Sequence, residues 1–198
     1  MESTKTRILK KLLETDGYLS GQELCEQLGV SRTAVWKYMK QLKEEGYEIE
    51  AVQNKGYCLK DVPDVLGESE IKSRLHTRWA GQTLYYYDEI DSTNTQIKRL
   101  AEEDAPHGTL AVADYQSRGK GRRGRAWDSP HGSAIYMSIL FRPEIRPDRA
   151  SMLTLVIGLS VTQAIRSNLG LQAQIKWPND VVPVSYTHLR AHETDQYL

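Results

Sequence analysis

Two short helical segments separated by only three residues, with a β-hairpin directly after them, limit the folds open to this chain more than any other feature of its sequence. Ile8, Leu9, Leu12 and Leu13 repeat an apolar pair four residues on, which is one face of a short amphipathic helix. Ser20-Gly21-Gln22-Glu23 opens a second helix: Ser20 is placed to accept from the Glu23 backbone N–H while the Glu23 side chain returns to Ser20, a capping box, and Leu24 with Leu28 supplies the buried stripe. Gly29 stops that helix. Ser31 is a good N-cap for a third, whose Val35, Met39 and Leu42 fall on one side and which ends at Gly46. Ile49 to Val52 and Tyr57 to Leu59 are β-prone runs around the turn Gln53-Asn54-Lys55-Gly56, a hairpin wing.

A three-residue turn between helices is helix-turn-helix spacing. It leaves Arg32, Thr33, Trp36, Lys37 and Lys40 at the exposed front of the second member, where a recognition helix meets base edges and phosphates. Ser31, Arg32, Thr33, Trp36 and Lys37, with Lys55 at the wing tip, are the candidate DNA-binding residues. The same segment also reads as a three-helix packing module with a solvated charged face, because residues 1–62 hold ten basic and ten acidic side chains. The ordered combination of helix, tight turn, helix and basic-tipped hairpin favours DNA over that reading.

The whole chain is equally balanced, with 26 Lys and Arg against 26 Asp and Glu, so global charge cannot steer it to nucleic acid and any such role needs a local patch. Its 198 residues suit one medium domain or two small ones. No apolar run reaches the 18 or so residues that span a bilayer, and no membrane partner is expected. The two cysteines, Cys25 and Cys58, and a start lacking a signal-peptide layout imply a reducing, cytoplasmic compartment, and exclude a disulfide scaffold or a Cys-based zinc cluster. The five histidines form no metal-ligand or nucleophile arrangement, and no metal site is expected.

Residues 1–62 are thus assigned to a winged helix-turn-helix and 63–82 to a connector with a short helix near Glu68 to Leu75. In a second domain, residues 83–181, strands are expected at Thr83 to Asp88, Leu110 to Gln116, Ser133 to Phe141 and Ala173 to Trp177. Between them come a helix capped at Thr93-x-x-Gln96 and running through Glu103, and a long helix from Arg149 to Leu169 with Leu153, Val156, Ile157, Ser160, Val161 and Ala164 on one face. The fold class is α+β, a winged helix-turn-helix followed by a mixed α/β domain.

The sharpest chemical feature is Gly119-Lys120-Gly121-Arg122-Arg123-Gly124-Arg125, four cations on a three-glycine backbone with nothing acidic from Tyr115 to Arg125. Glycine lets main-chain N–H groups approach an anion, and Lys or Arg supplies charge and forked donors, so the loop suits a phosphate or carboxylate. It lacks the Gly-x-x-x-x-Gly-Lys-Ser/Thr string of a P-loop, and a loose RNA-binding or merely solvated segment is the alternative. Asp91-Ser92-Thr93-Asn94 sits at a strand-to-helix junction, and Lys176-Trp177-Pro178-Asn179-Asp180 closes a β-prone run. Read alone, the first is an N-cap and the second an exposed strand end.

Taken together and in order, Asp91 to Asn94, Tyr115-Gln116, the Gly119 to Arg125 loop with Trp127, and Lys176 to Asp180 resemble the biotin protein ligases, and the preceding winged helix resembles the bifunctional bacterial form that is also biotin operon repressor. The resemblance covers residues 1 to about 181. It implies that Ser92, Thr93, Asn94 and Gln116 bind the ureido ring and position biotin, and that Lys120, Gly121 and Arg122 contact biotin and its adenylate. It implies further that Trp127 covers the adenine, that Lys176 is poised at the carboxylate and α-phosphate, and that Asn179 joins Arg122, Trp127 and Lys176 around the adenylate. Catalysis would rest on Lys176 and Arg122. The implied activity is ATP-dependent formation of biotinyl-5′-AMP with Mg²⁺ and transfer of biotin to a lysine of a biotin carboxyl carrier protein of acetyl-CoA carboxylase, joined to operator binding by a ligand-promoted homodimer. A DNA-binding biotin sensor without ligase activity is the alternative, and lipoate ligation is disfavoured by the loop and the winged helix. The family loop is most often Gly-Arg-Gly-Arg; here Lys120 keeps the charge but loses the bidentate fork.

After Asp180 the family pattern stops. The expected Lys-x-x-Gly segment, the Gly-rich strand and the small C-terminal β-barrel do not follow, and residues 182–198 form an atypical polar tail. A truncated reading frame ending in foreign sequence is the expectation.

Overall fold

A computed structural model describes residues 3–121, 124–176 and 180–184. Contacts divide the chain into two compact units, residues 1–142 and 143–198.

The first unit opens with α1 (Thr4–Glu14), α2 (Gly21–Leu28) and α3 (Arg32–Glu44), each started by a serine. Ser3, Ser20 and Ser31 accept from the backbone N–H groups of Thr6, Gln22 and Ala34 at 3.1, 3.2 and 3.2 Å, satisfying donors that a helix start leaves unpaired. The expected capping box at Ser20 does not form. Its hydroxyl bonds one residue early, and Glu23 instead accepts from Gln27 Nε2 at 2.9 Å, a pairing one turn along the same helix. The predicted apolar stripes do converge: Ile8, Leu9, Leu12, Leu24, Leu28, Val35, Met39 and Leu42 form one buried cluster with Leu19, Tyr47 and Ile49.

The wing is the antiparallel pair β1 (Glu48–Val52) and β2 (Gly56–Asp61). Leu19 adds to its edge through two backbone bonds, Leu19 N–H to the Tyr57 carbonyl at 2.7 Å and Tyr57 N–H to the Leu19 carbonyl at 2.9 Å. Gly56 permits this: its φ is +111°, and a Cβ there would stand 2.1 Å from the Leu19 carbonyl oxygen. The connector carries α4 (Glu68–Arg74), which packs on α1 and is held by Tyr47, whose hydroxyl donates to Glu70 at 2.6 Å. Burial, then that carboxylate, pushes the Tyr47 hydroxyl far above its ordinary value.

Next come β3 (Leu84–Ile90), α5 (Thr93–Glu102), β4 (Leu110–Gln116) and β5 (Tyr136–Ile139). β3 and β4 are parallel and joined by α5, β5 is antiparallel to β4, and the sheet order is β3-β4-β5. Ile97 and Leu100 of α5 pack with Ala105 and Ala111 in a second, smaller cluster. Two parallel strands joined by a helix bring their carboxyl ends to the same sheet edge, where α/β proteins place ligands. β3 and β5 both shift at each end from the sequence reading, β3 starting at Leu84 and β5 ending at Ile139. β3 runs two residues further, to Ile90, and β5 begins only at Tyr136, because Ser133 bonds back to the Pro130 carbonyl at 2.9 Å and keeps that stretch in a turn.

The second unit holds a 3₁₀ turn (Pro147–Arg149), α6 (Met152–Leu169) and the antiparallel hairpin β6 (Ala173–Lys176) and β7 (Asp180–Pro183). α6 begins three residues later than Arg149, and its expected apolar face is not buried: Val156 is 58% and Ile157 42% exposed, while the helix buries Thr162. The physical reason is its partner. Among the described residues of the unit it is a two-stranded hairpin that meets the helix, along the stripe where Gly158 stands beside Ile175. β7 takes Val182 and Pro183 into a ladder, so the atypical tail starts inside regular structure; residues 185–198 lie outside the described residues. Among the described residues no helix is long and apolar enough to cross a membrane.

Candidate functional site

The carboxyl ends of β3 and β4 are tied together by backbone. Ser117 N–H donates to the Ile90 carbonyl at 2.9 Å and Arg118 N–H to the Asp91 carbonyl at 2.8 Å, so the cationic loop leaves β4 directly over the start of α5. The Asp91 carboxylate accepts from both terminal nitrogens of Arg99 at 3.2 and 2.7 Å, and from the Ser92 N–H at 2.8 Å. The Arg99 guanidinium beside it, aided by that N–H and by the nearby Lys120 ammonium, holds the Asp91 carboxyl below the ordinary carboxylate range.

Behind this edge lies a buried polar network. Gln116 Oε1 accepts from the Thr93 N–H at 2.8 Å and from the Thr93 hydroxyl at 3.1 Å, while its Nε2 donates to Ser129 Oγ at 2.9 Å. The Ser138 hydroxyl donates to Thr93 Oγ1 at 3.0 Å, and the Ser129 hydroxyl to the Trp127 carbonyl at 3.2 Å. Ser92, Thr93, Gln116 and Ser129 are all buried. Among the described residues two buried hydroxyls are left without a hydrogen-bond partner, Ser92 Oγ in this cluster and Thr95 Oγ1 on the first turn of α5; Ser92, 1% exposed as a residue, also makes no cap to its own helix. A buried hydroxyl left unpaired costs about 1–3 kcal/mol, and a polar ligand at the α5 N-terminus would remove that cost.

The loop is closed at its base. Trp127 N–H donates to the Gly119 carbonyl at 2.9 Å, Gly121 N–H to the Arg125 carbonyl at 2.8 Å, and Lys120 bridges to Ala126. Gly119 has no room for a side chain, since a Cβ would lie 2.3 Å from the Trp127 carbonyl oxygen and 2.7 Å from Ser129 Oγ. Lys120 and Arg125 are exposed, and the Trp127 ring is 61% exposed. Arg122 falls outside the described residues.

The structure therefore brings together Ser92, Thr93, Gln116 and the loop base at Gly119, Lys120, Gly121 and Trp127, with Asn94 exposed on the first turn of α5. Lys176 lies in the second unit as the last residue of β6, opposite Asp180 in the ladder, and Asn179 is outside the described residues. On the winged helix, Arg32, Thr33, Trp36 and Lys37 are exposed along α3 and Ser31 caps it. Arg32, Lys55, Ser20, Asn54 and Tyr57 line a cleft of about 540 Å³ between the α2 and α3 N-termini and the wing turn. Lys55 and Lys60 each stand 5.5 Å from the Tyr18 ring centre. Among the described residues no group of three or more His, Cys, Asp or Glu is arranged to hold a metal ion.

Four polar residues here carried no sequence signal. Ser129, Ser138 and Arg99 act through partners 13, 45 and 8 residues away. Asp114 holds the next turn by accepting from His131 Nδ1 at 2.7 Å and the Gly132 N–H at 3.1 Å, and both bonds hold its carboxyl below the ordinary range. Tyr86 borders the same turn; burial, then Asp88 and Asp114, push its hydroxyl up to about 12.

Two family models match the chain. Residues 4–58 match an HTH domain model and residues 86–185 the model of the biotin/lipoate A/B protein ligase family. The chain is 46% identical to the bifunctional ligase/repressor BirA of Bacillus spizizenii, an alignment covering 92% of this chain and 57% of the relative. To the BirA of Escherichia coli it is 36% identical, covering 86% of this chain and 51% of the relative. A solved biotin protein ligase from Aquifex aeolicus in complex with biotin and ATP is 39% identical with a TM-score of 0.44, over 50% of this chain and 41% of that one. The chain thus spans little more than half the length of the curated relatives it matches. An HTH domain ahead of a family match that covers 100 of the 198 residues, from 86 to 185, has one meaning: this chain belongs to the biotin/lipoate A/B protein ligase family.

Proposed function

We propose that the protein activates biotin with ATP, transfers it to a lysine of a biotin carboxyl carrier protein, and uses its winged helix as a biotin-responsive repressor in the cytoplasm. The observation that carries this reading is Ser92 Oγ, a buried hydroxyl without a partner, next to Thr93 and Gln116 and beneath a cationic glycine loop. A neutral ring bearing both N–H donors and a carbonyl acceptor suits that corner, because hydroxyl, amide and helix N-terminus offer both kinds of group.

The chemistry needs charge control more than proton transfer. A biotin carboxylate oxygen bonds to the α-phosphorus of ATP as the bond from that phosphorus to the bridging oxygen breaks, and pyrophosphate leaves. Negative charge grows on the phosphoryl oxygens, and Lys176, Lys120 and Arg122 are the cations assigned to stabilise it. Mg²⁺ is assigned to the triphosphate it accompanies. Biotinyl-5′-AMP is a mixed anhydride, and the loop from Gly119 to Arg125 with Trp127, closing over it together with Asn179, would exclude water until the acceptor amine attacks the acyl carbon and AMP departs. With ten basic and ten acidic side chains in residues 1–62, one winged helix is a weak DNA ligand, so a ligand-promoted homodimer addressing two half-sites supplies avidity.

The test is pyrophosphate release with biotin and Mg-ATP followed by labelling of an acceptor domain, on this chain and on the full gene product where that is longer. Lys176→Ala should lower adenylate formation roughly a hundredfold. Biotin binding without pyrophosphate release in the full product would establish the sensor reading instead.

A further inference from the structure

We infer that Ser129 is a positioning residue: it locks the amide orientation of Gln116 and so links the base of the cationic loop to the biotin site. This rests on the functional reading above. The side-chain amide of Gln116 has two near-isosteric ends, and a flip would exchange an acceptor for a donor. In the observed orientation Oε1 faces two donors of Thr93, its N–H at 2.8 Å and its hydroxyl at 3.1 Å. Those bonds alone would hold the amide from one side. Ser129 holds it from the other, accepting from Nε2 at 2.9 Å while its own proton goes to the Trp127 carbonyl at 3.2 Å, which leaves Ser129 Oγ able to act only as acceptor toward Gln116.

That proton assignment makes the lock directional. The Trp127 carbonyl can only accept, so it fixes the Ser129 hydroxyl as donor; the hydroxyl then demands an N–H from Gln116, and Oε1 is left for Thr93. The Thr93 hydroxyl, spent on Gln116, accepts in turn from Ser138 at 3.0 Å. The second Nε2 proton of Gln116 remains for an acceptor atom of a ligand. The backbone reinforces the chain of bonds: Gln116 N–H donates to the Ser129 carbonyl at 3.2 Å, and Gly119, where a Cβ would strike both the Trp127 carbonyl and Ser129 Oγ, keeps the loop base against them. Any displacement of the Trp127 carbonyl is therefore passed through Ser129 to Gln116.

Two readouts test this. The Gln116 side-chain NH₂ protons should exchange slowly in the parent, and in Ser129→Ala should lose protection by at least tenfold while the fold, judged by circular dichroism and the remaining amide spectrum, persists. Calorimetry should show biotin affinity falling about tenfold, with Ser129→Thr, which keeps the hydroxyl, recovering most of it. In the full gene product the loss should appear in KM for biotin, with kcat at saturating biotin and KM for ATP changed less than threefold. Unaltered Gln116 NH₂ protection in Ser129→Ala overturns the inference, as does equal loss of biotin affinity in the Ala and Thr variants, which would mean packing alone. If the parent protein binds no biotin, the functional reading fails, and the NMR result still decides the role of Ser129. Should Ser129→Ala fail to fold, Gln116 NH₂ protection and biotin affinity in Gly119→Ala decide instead, since that variant separates Trp127 from Ser129 with both hydroxyl and amide retained; unchanged values there reject the lock.

Discussion

The winged helix and the sheet-edge site occupy one compact unit yet spend their buried positions in opposite ways. In the first, eleven apolar side chains from the three helices, the wing and the residues flanking them close a continuous core, and Thr6 is the buried polar residue that joins it among the described residues of α1 to β2. In the second, the apolar cluster is four residues, and the buried positions beside it are shared between Leu84, Val112, Ala113 and Tyr136 and the polar Ser92, Thr93, Gln116 and Ser129. An apolar core tolerates small errors of geometry because burial is non-directional, whereas a hydrogen-bonded network loses most of its value with one misplaced atom. The helical module is thus built to be stable and to present α3, and the sheet edge is built to hold few groups at fixed positions, one of them unpaired.

The largest effect that sharpens this contrast is a core truncation. Leu24→Ala, at a side chain with no exposure, should cost about 3 kcal/mol in urea unfolding, against about 2 kcal/mol for Ile97→Ala in the smaller cluster. Equal or reversed costs would break the comparison. Next is Gly56→Ala, where both the left-handed backbone and the Leu19 carbonyl oppose a Cβ; a loss of about 2 kcal/mol is expected, with amide exchange rising first at Leu19 and Tyr57. Smaller in energy but sharper in kind are Arg32→Ala and Lys37→Ala, both exposed. Stability should change by less than about 0.5 kcal/mol, while DNA affinity falls about tenfold and the logarithmic salt slope drops by about one. Retained DNA binding in both would return the module to a packing role.

The smallest effect is a pH dependence at the turn after the loop. The Asp114 carboxyl is depressed by His131 and the Gly132 N–H, so its contribution is fully present above the unfolded carboxylate value near 4 and is lost as pH falls through the lower folded value. Gly132 amide protection should decline over that acid range in the parent and be flat in Asp114→Asn. A decline on raising the pH instead would reverse the assignment.

How much of this could be read in advance follows from the range of each interaction. The serine caps at 20 and 31 and the stripes of α1 to α3 were legible because their partners lie within a turn of helix; the capping box failed only because Glu23 found Gln27 instead. The strand-helix-strand order and the motifs that hold Ser92, Thr93, Gln116 and the loop from Gly119 were legible in the sequence, and their mutual bonding was not, since Thr93 and Gln116 are 23 residues apart. The apolar face of α6 was legible from its periodicity and its exposure was not, because a periodicity states which residues want a partner and says nothing of whether one is present.

By itself the sequence determined the local grammar of this protein: where helices start, which stripe each one offers, that a cationic glycine loop separates two strands, and which family carries those motifs in that order. Only the tertiary structure decided which polar groups are spent on one another and which are left free. Thr93 and Gln116 satisfy each other, Ser129 fixes the direction of their bonds, and Ser92 stays unpaired. The reason is that local preferences act through a few bonds along the backbone, while the donors and acceptors of the site meet only after β3, α5, β4 and β5 have brought distant residues within 3 Å or so of each other.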